Sequence, residues 1–152
     1  MTPFVAPPDY SNWSDVADLI HRSFAYMEPL LGHPARATSV WAEQLAEASS
    51  VGTAYLVEQH GIPVACLFTR PSRDFQDALY LGWLAVDERY RGKELAKVLI
   101  ATAETEARSK GYAAMTLDTG RAITELHTVF RSLGFEEVPG TGDIITFRKP
   151  LE

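Results

Sequence analysis

The residues best suited to chemistry concentrate in one short stretch, Asp87-Glu88-Arg89-Tyr90-Arg91-Gly92-Lys93, which follows an apolar run and precedes a helical pattern. A loop that passes straight from a strand into a helix leaves converging backbone N–H groups unpaired, with the positive end of the helix dipole behind them. Such a place binds anions. Arg89, Arg91, Lys93 and Lys97 put four cationic side chains within nine residues, and Gly92 lets the backbone approach a ligand closely. Each charge-assisted hydrogen bond contributes about 1.5–3 kcal/mol, so several together outweigh repulsion from Asp87, Glu88 and Glu94. On spacing alone a phosphate site and a solvated basic turn both remain open.

Other reactive side chains point elsewhere. Cys66 sits in the apolar run Val64-Ala65-Cys66-Leu67-Phe68, the setting of a small buried hydrophobe and not of a nucleophile. As the single cysteine it excludes an intrachain disulfide framework and a multi-thiolate zinc site. His21 and His60 lack partners at ligand spacing, and no metal site is expected.

The elements that must position the basic loop are legible from periodicity. Asn12 or Ser14 can cap a helix whose inner stripe is Trp13, Val16, Ala17, Ile20 and Phe24. The stretch 26–39, with Pro29, Gly32 and Pro34, reads as a loop long enough to line a site, followed by a short helix over 40–48. Strands are expected at 53–58 and 63–70 around the turn Gln59-His60-Gly61-Ile62, and a central strand at 79–86, whose interior Gly82 suggests a bulge or a close backbone approach. A long helix over 95–110 carries Leu95, Val98, Leu99, Thr102 and Ala103 at helical spacing, with Gly111 as its stop. A strand at 113–119, a helix at 124–133 with Ile123, Leu126, Phe130 and Leu133 inward, and two strands around Pro139-Gly140-Thr141-Gly142 complete the chain. Trp13 and Trp41 are expected in the core. This order of elements indicates an α/β domain with a mixed sheet and helices packed on it, and the absence of repeats or linkers indicates one continuous domain over 1–152.

At this point the residues resemble a family. The stretch 84–100, LAVDERYRGKELAKVLI, is similar to the acetyl-CoA-binding motif of the GNAT superfamily of N-acetyltransferases, whose signature is Arg or Gln, two residues, Gly, one residue, then Gly or Ala. The match runs Arg91, Gly92, Lys93, Glu94, Leu95, Ala96; Glu94 stands where a glycine is usual, and its carboxylate must point outward if a pyrophosphate is to sit there. Leu117-Asp118-Thr119-Gly120 and the stretch 129–135, VFRSLGF, resemble the family's second motif.

The resemblance implies a GNAT fold: a mixed, mostly antiparallel central sheet of about six or seven strands, with two splayed parallel central strands, flanked by about four helices. It implies that acetyl-CoA lies in the gap, its pantetheine arm along the backbone of Leu84, Ala85 and Val86. The pyrophosphate would meet the loop and helix start at Arg91, Gly92, Lys93, Glu94, Leu95, Ala96 and Lys97, and Phe130 would also contact the cofactor. Acetyl transfer to a primary amine of a small molecule or peptide is then direct, without a covalent enzyme intermediate. Asp118 occupies the strand position where members resembling the ribosomal-protein alanine acetyltransferases place an acidic general base. Many relatives carry a proton-donating Tyr where Phe130 stands. His127, one helical turn earlier, is the candidate to substitute, although such a histidine is more often a partly exposed surface residue. Tyr26 and His33, in the long loop that borders the family's acceptor site, and Tyr80 on the central strand are candidate substrate contacts. The alternative is an acyl-CoA-binding sensor or partner-binding module with weak or no catalysis, for which Glu94 and Phe130 speak.

Composition sets the partners. Hydrophobic residues at 46% and charged residues at 22% are ordinary for a globular domain of 152 residues. The net charge of −6 disfavours sequence-independent binding to nucleic acid or an anionic membrane. The imbalance is uneven: residues 1–88 hold eleven acids and four bases, residues 89–152 nine acids and ten bases. A cationic acceptor is therefore drawn to the first half and an anionic ligand to the second. The N-terminal stretch MTPFVAPPDY lacks a basic segment followed by an apolar one, and the longest uncharged apolar run, 78–86, is too short to span a bilayer. A reducing cytoplasm is the expected location, and the resemblance leaves a homodimer as an option.

Overall fold

The computed structural model describes residues 1–25, 28–31, 40–92 and 94–152. Three helices, α1 (Trp13–Ala25), α2 (Glu28–Leu31) and α3 (Ala42–Val51), follow a two-residue strand β1 (Phe4–Val5). The strands β2 (Thr53–Gln59), β3 (Ile62–Pro71) and β4 (Ala78–Val86) come next. A 3-10 turn at Glu88–Tyr90 then leads into α4 (Leu95–Ser109), and β5 (Ala114–Gly120), α5 (Thr124–Ser132), β6 (Glu136–Glu137) and β7 (Ile144–Pro150) close the chain. All seven strands form one sheet in the order β1-β2-β3-β4-β5-β7-β6. Only β4 and β5 run parallel; every other neighbouring pair is antiparallel.

Local chemistry explains the connections. The β2–β3 hairpin turns on His60 and Gly61, both at positive φ (55° and 76°), the conformation whose twist matches flanking strands. Gly111 and Gly134 take φ of 80° and 97° just past α4 and α5, where a left-handed residue ends a helix without steric cost.

Two cores lie on opposite faces of the sheet. One joins β2–β5 and β7 to α4 and α5 through Leu79, Leu99, Met115, Phe135 and Phe147, all nearly inaccessible to solvent. The other joins β2–β4 to α1 and α3 through Val16, Ile20, Leu45, Leu56 and Cys66. α1 and α3 pack chiefly on β2, β3 and β4, so most of the β5–β7 half of that face is left open by the described helices. Alternation along β5 puts Asp118 on this open half.

The sequence expectations hold for nearly every element, with four corrections. The loop expected over 26–39 contains the short helix α2. Trp41, expected in the core, is 59% exposed, because it is the extended residue that precedes α3 and not part of its buried stripe. On α4 the inner face is Leu95, Leu99, Ile100, Ala103 and Ala107; Val98 lies outward, and the Thr102 hydroxyl donates to its carbonyl. His127, expected partly exposed, is buried.

Gly52 ends α3 and delivers the chain into β2. A Cβ built there would lie 2.2 Å from the Thr69 carbonyl oxygen and 3.3 Å from that of Ala48, both backbone atoms that cannot swing away. Gly52→Ala should therefore destabilise the fold by at least about 2 kcal/mol and lower the melting temperature by roughly 4–8 °C. Thermal unfolding followed by circular dichroism checks this, and an unchanged midpoint would contradict the packing of α3 on β3.

Candidate active site

The parallel pairing of β4 with β5 is short. It runs from Ala78↔Ala114 to Leu81↔Leu117 and stops, although β4 continues to Val86 and β5 to Gly120. Beyond that point β4 follows β3, with Cys66↔Ala85 and Ala65↔Val86, while β5 follows β7 as far as Gly120↔Ile144. The two strands thus part into a fork, and the β5-facing backbone groups of residues 82–86 have no strand partner among the described residues.

A bulge produces the fork. Between Cys66 and Phe68 the β3–β4 register shifts, so Leu67 faces both Trp83 and Leu84. Trp83 takes φ of 47°, an uncommon conformation for a side chain of its size. The bulge is locked from two sides. The Cys66 thiol donates to the Trp83 carbonyl at 3.3 Å, and the Trp83 ring meets Phe68 edge-on at 5.2 Å. Burial pushes the Cys66 thiol up to about 12, so it stays a thiol and is no nucleophile. Gly82, expected to mark a bulge or a close backbone approach, sits at the edge of that bulge. The Tyr80 ring leans over it, and a Cβ at Gly82 would sit 3.0 Å from the ring.

The loop after β4 is anchored at Asp87, whose side chain is 6% exposed. Its Oδ1 accepts from the Arg89 backbone N–H at 3.0 Å, and both carboxylate oxygens accept from the Arg89 guanidinium at 3.2 Å. Arg22 of α1 donates to Oδ2 at 3.3 Å, and the Asp87 N–H donates to the Val64 carbonyl at 2.8 Å. Arg89 is thereby committed to the loop's own framework. The bond to Arg89 leads the causes that hold the Asp87 carboxyl down at about 2.

After this anchor Gly92 adopts φ of 80° with nothing within 4 Å of where a Cβ would stand, and Lys93 lies outside the described residues. Glu94 then takes the left-handed conformation, φ 62° and ψ 21°, at the position where the motif has glycine. Its side chain is 71% exposed and accepts from Lys97 Nζ at 3.4 Å, so the carboxylate stands outward as the motif requires. α4 starts with no side-chain cap, and the amides of Leu95, Ala96 and Lys97 begin a 15-residue helix. An uncapped helix N-terminus of this kind has the donors and the dipole that the sequence reading asks of an anion site.

Across the fork, Asp118 is exposed and doubly held. Its Oδ1 accepts from the Thr146 hydroxyl at 2.7 Å and its Oδ2 from the Tyr80 hydroxyl at 3.3 Å. Tyr80 is raised to about 12, by its own burial first and the Asp118 charge second, so it remains a phenol donor. The Arg70 guanidinium lies 4.1 Å over the Tyr80 ring centre. Tyr80 and Asp118, expected separately as a substrate contact and a base, are thus brought together. Thr146 and Arg70 were not foreseen. Strand pairing supplies both, since Thr146 faces Asp118 and Arg70 faces Tyr80 in register.

The remaining candidates lie elsewhere. His127 is 6% exposed, and its Nε2 donates to the Gly120 carbonyl at 3.0 Å, which ties α5 to the end of β5. Phe130 is 5% exposed and packs against the Phe135 and Phe147 rings in the core. Tyr26 and His33 fall outside the described residues. Among the described residues no group of three or more metal-ligating side chains converges, and no helix is long and apolar enough to cross a membrane.

Comparison with known proteins matches this geometry. A family model described as the acetyltransferase (GNAT) family covers residues 13–135. A human protein, N-acetyltransferase 8B, is 37% identical over 59 residues, which are 39% of this chain and 26% of the human one, so the match spans about a quarter of that relative. The structure of PaiA N-acetyltransferase from Thermoplasma acidophilum in complex with coenzyme A superposes with a TM-score of 0.80 at 14% identity, covering 99% of this chain and 100% of that one. The ribosomal-protein-S18-alanine N-acetyltransferase from Escherichia coli superposes with a TM-score of 0.73 at 18% identity, covering 98% and 94%.

The Asp87 anchor has a pH signature. A carboxyl whose folded value lies below its unfolded value of about 3.9 stabilises the fold fully above that value, and the contribution is lost as pH falls through about 2. Asp87→Asn should lower the melting temperature at pH 7, and the gap to the parent protein should close between about pH 4 and 2. Melting curves across that range test the assignment; a gap independent of pH would contradict it.

Proposed function

The chain belongs to the acetyltransferase (GNAT) family, and from that premise we propose that it moves an acetyl group from acetyl-CoA to the primary amine of a small molecule or peptide, with Asp118 as general base. The observation that carries this reading is the fork itself: an unpaired strand edge leads into an uncapped helix N-terminus on one side, and a held carboxylate faces it from the other.

Acetyl-CoA is the co-substrate of the family. The residues fit it: the backbone edge at Leu84, Ala85 and Val86, where the Val86 carbonyl also accepts from the Ser23 hydroxyl at 3.0 Å, would receive the pantetheine amides, and Arg91, Gly92 and the first amides of α4 would hold the pyrophosphate. Open space around Gly92 and the outward Glu94 carboxylate leave room for phosphate oxygens. When bound, the cofactor supplies a thioester-activated acetyl carbon.

Water would protonate the departing coenzyme A thiolate, because Phe130 has no proton to give and His127 is buried against the Gly120 carbonyl; the chain's own groups supply the base and the oxyanion donor. Amines arrive protonated at neutral pH and must lose a proton before they can attack. Asp118 accepts that proton, directly or through one water, at the carboxylate that Thr146 and Tyr80 hold in a fixed orientation. A backbone N–H of residues 84–86 would serve as a preorganised donor for the negative charge on the acetyl oxygen, in the sense of an oxyanion hole. His127 acts as a positioning residue through the Gly120 carbonyl, which keeps the end of β5 beside Asp118. The exposed Glu94 carboxylate, paired with Lys97, supports the catalytic reading over the sensor alternative.

Asp118→Asn preserves the Thr146 contact and removes the base. The variant should lose about 10²- to 10⁴-fold in kcat/KM with coenzyme A affinity retained, and should recover part of the rate as pH rises toward the amine's own pKa. Thiol-release kinetics from pH 6 to 10 checks this; an undiminished rate would remove Asp118 from the mechanism.

A further inference from the structure

Six arginines of this acidic chain, Arg22, Arg89, Arg108, Arg121, Arg131 and Arg148, are each ion-paired with a carboxylate. Arg70 and Arg73 have no carboxylate partner among the described residues, and both line one cavity of about 430 Å³ that opens beside the fork. Its floor is β4 at Tyr80, Gly82 and Trp83, the segment where pairing with β5 ends; its far wall is α3, with Gln44 and Glu47. Phe68 and Trp83 give it an aromatic side.

We propose that this cavity is an acceptor subsite for amines that also carry a carboxylate, amino-acid-like molecules with a flat or apolar body, an inference that rests on the acyl-transfer reading above. Two guanidinium groups without a carboxylate partner among the described residues line the cavity; Arg70 donates one N–H to the Pro71 carbonyl at 3.2 Å and keeps further donors, and such groups recognise a planar anion by paired hydrogen bonds. Phe68 and Trp83 offer rings for the apolar body. The Glu47 carboxylate on the opposite wall disfavours a second negative charge there.

The spacing sets the size of the acceptor. Arg70 lies 4.1 Å above the Tyr80 ring, and the hydroxyl of that ring reaches Asp118 at 3.3 Å. One tyrosine therefore spans the distance between the group that would hold the carboxylate and the base that would take the ammonium proton. An acceptor with its amine a few bonds from its carboxylate satisfies both ends. Gly82 gives the Tyr80 ring room, since a Cβ there would lie 3.0 Å from the ring and crowd it.

The test uses matched pairs, L-phenylalanine, L-tryptophan and L-methionine against their carboxamides, with the full chain and acetyl-CoA. Thiol release is measured alongside calorimetric binding in the presence of coenzyme A. The acids should be preferred, and Arg70→Gln and Arg73→Gln should each shrink the acid-to-amide ratio of kcat/KM at least about tenfold, as expected for loss of one charged hydrogen bond. The ratio is read because a mere folding defect lowers both members of a pair alike. Amides that turn over as well as the acids, or a ratio that both variants leave unchanged, would overturn the subsite while leaving acetyl transfer standing. Acids that bind in an arginine-dependent way without thiol release would keep the subsite and sink the acyl-transfer reading. Neither binding nor turnover of any acid would overturn the subsite.

Discussion

The constraint on which the site depends is the early end of the β4–β5 ladder. A sheet gains by pairing every backbone group, yet these two strands pair at only four positions before they part. The parting is held open by a left-handed tryptophan at the bulge, a buried thiol bonded to that bulge's carbonyl, and an aromatic edge contact with the neighbouring strand. Such strain persists only where the surroundings determine it, and it is commonly stored at functional sites. The outer strands are not disturbed, because β3 and β7 continue to pair with the diverging strands on either side.

Charge is sorted around that opening. Asp87 takes up Arg22 and Arg89, which fixes α1 and the loop to the end of β4 and removes two cations from general circulation. The helix N-terminus beyond it is left without a side-chain cap, so its donors remain for a ligand. On the other bank, Tyr80 and Thr146 hold a carboxylate on the part of the sheet face that α1 and α3 do not cover. One side of the fork therefore favours anionic phosphate and the other an ammonium ion. A transferase that joins a diphosphate-bearing donor to an amine needs that separation.

Much of this was legible in the sequence because it is local. The apolar run 79–86, the basic loop and the helical stripe after it lie consecutively, so their order as strand, loop and helix was legible, while the assignment of an anion site to Arg91 to Lys97 rested on the family resemblance. Hairpin chemistry at His60-Gly61 and the helix stops at Gly111 and Gly134 depend on single residues whose φ the turn dictates. What was not legible is what register decides. Nothing near Asp118 announces Thr146, which joins it only because β5 pairs with β7 at that step. Arg70, Arg73, Gln44 and Glu47 come from separated elements and look like ordinary surface residues until the fold gathers them around one cavity. Trp41 and Val98 fell on the wrong side for a related reason: helical spacing predicts a stripe, but the helix start and the sheet beneath decide which stripe is buried.

The central claim is that the fork and the α4 N-terminus together receive coenzyme A. Backbone amide resonances of uniformly ¹⁵N-labelled protein, followed through a titration with coenzyme A, test it most directly. The account predicts saturable shifts at Leu84, Ala85 and Val86 together with Gly92 and Leu95 to Lys97, with little change at the zipped pairs Ala78 to Leu81 and Ala114 to Leu117. Saturable shifts that leave either the strand edge or the helix start untouched would contradict it.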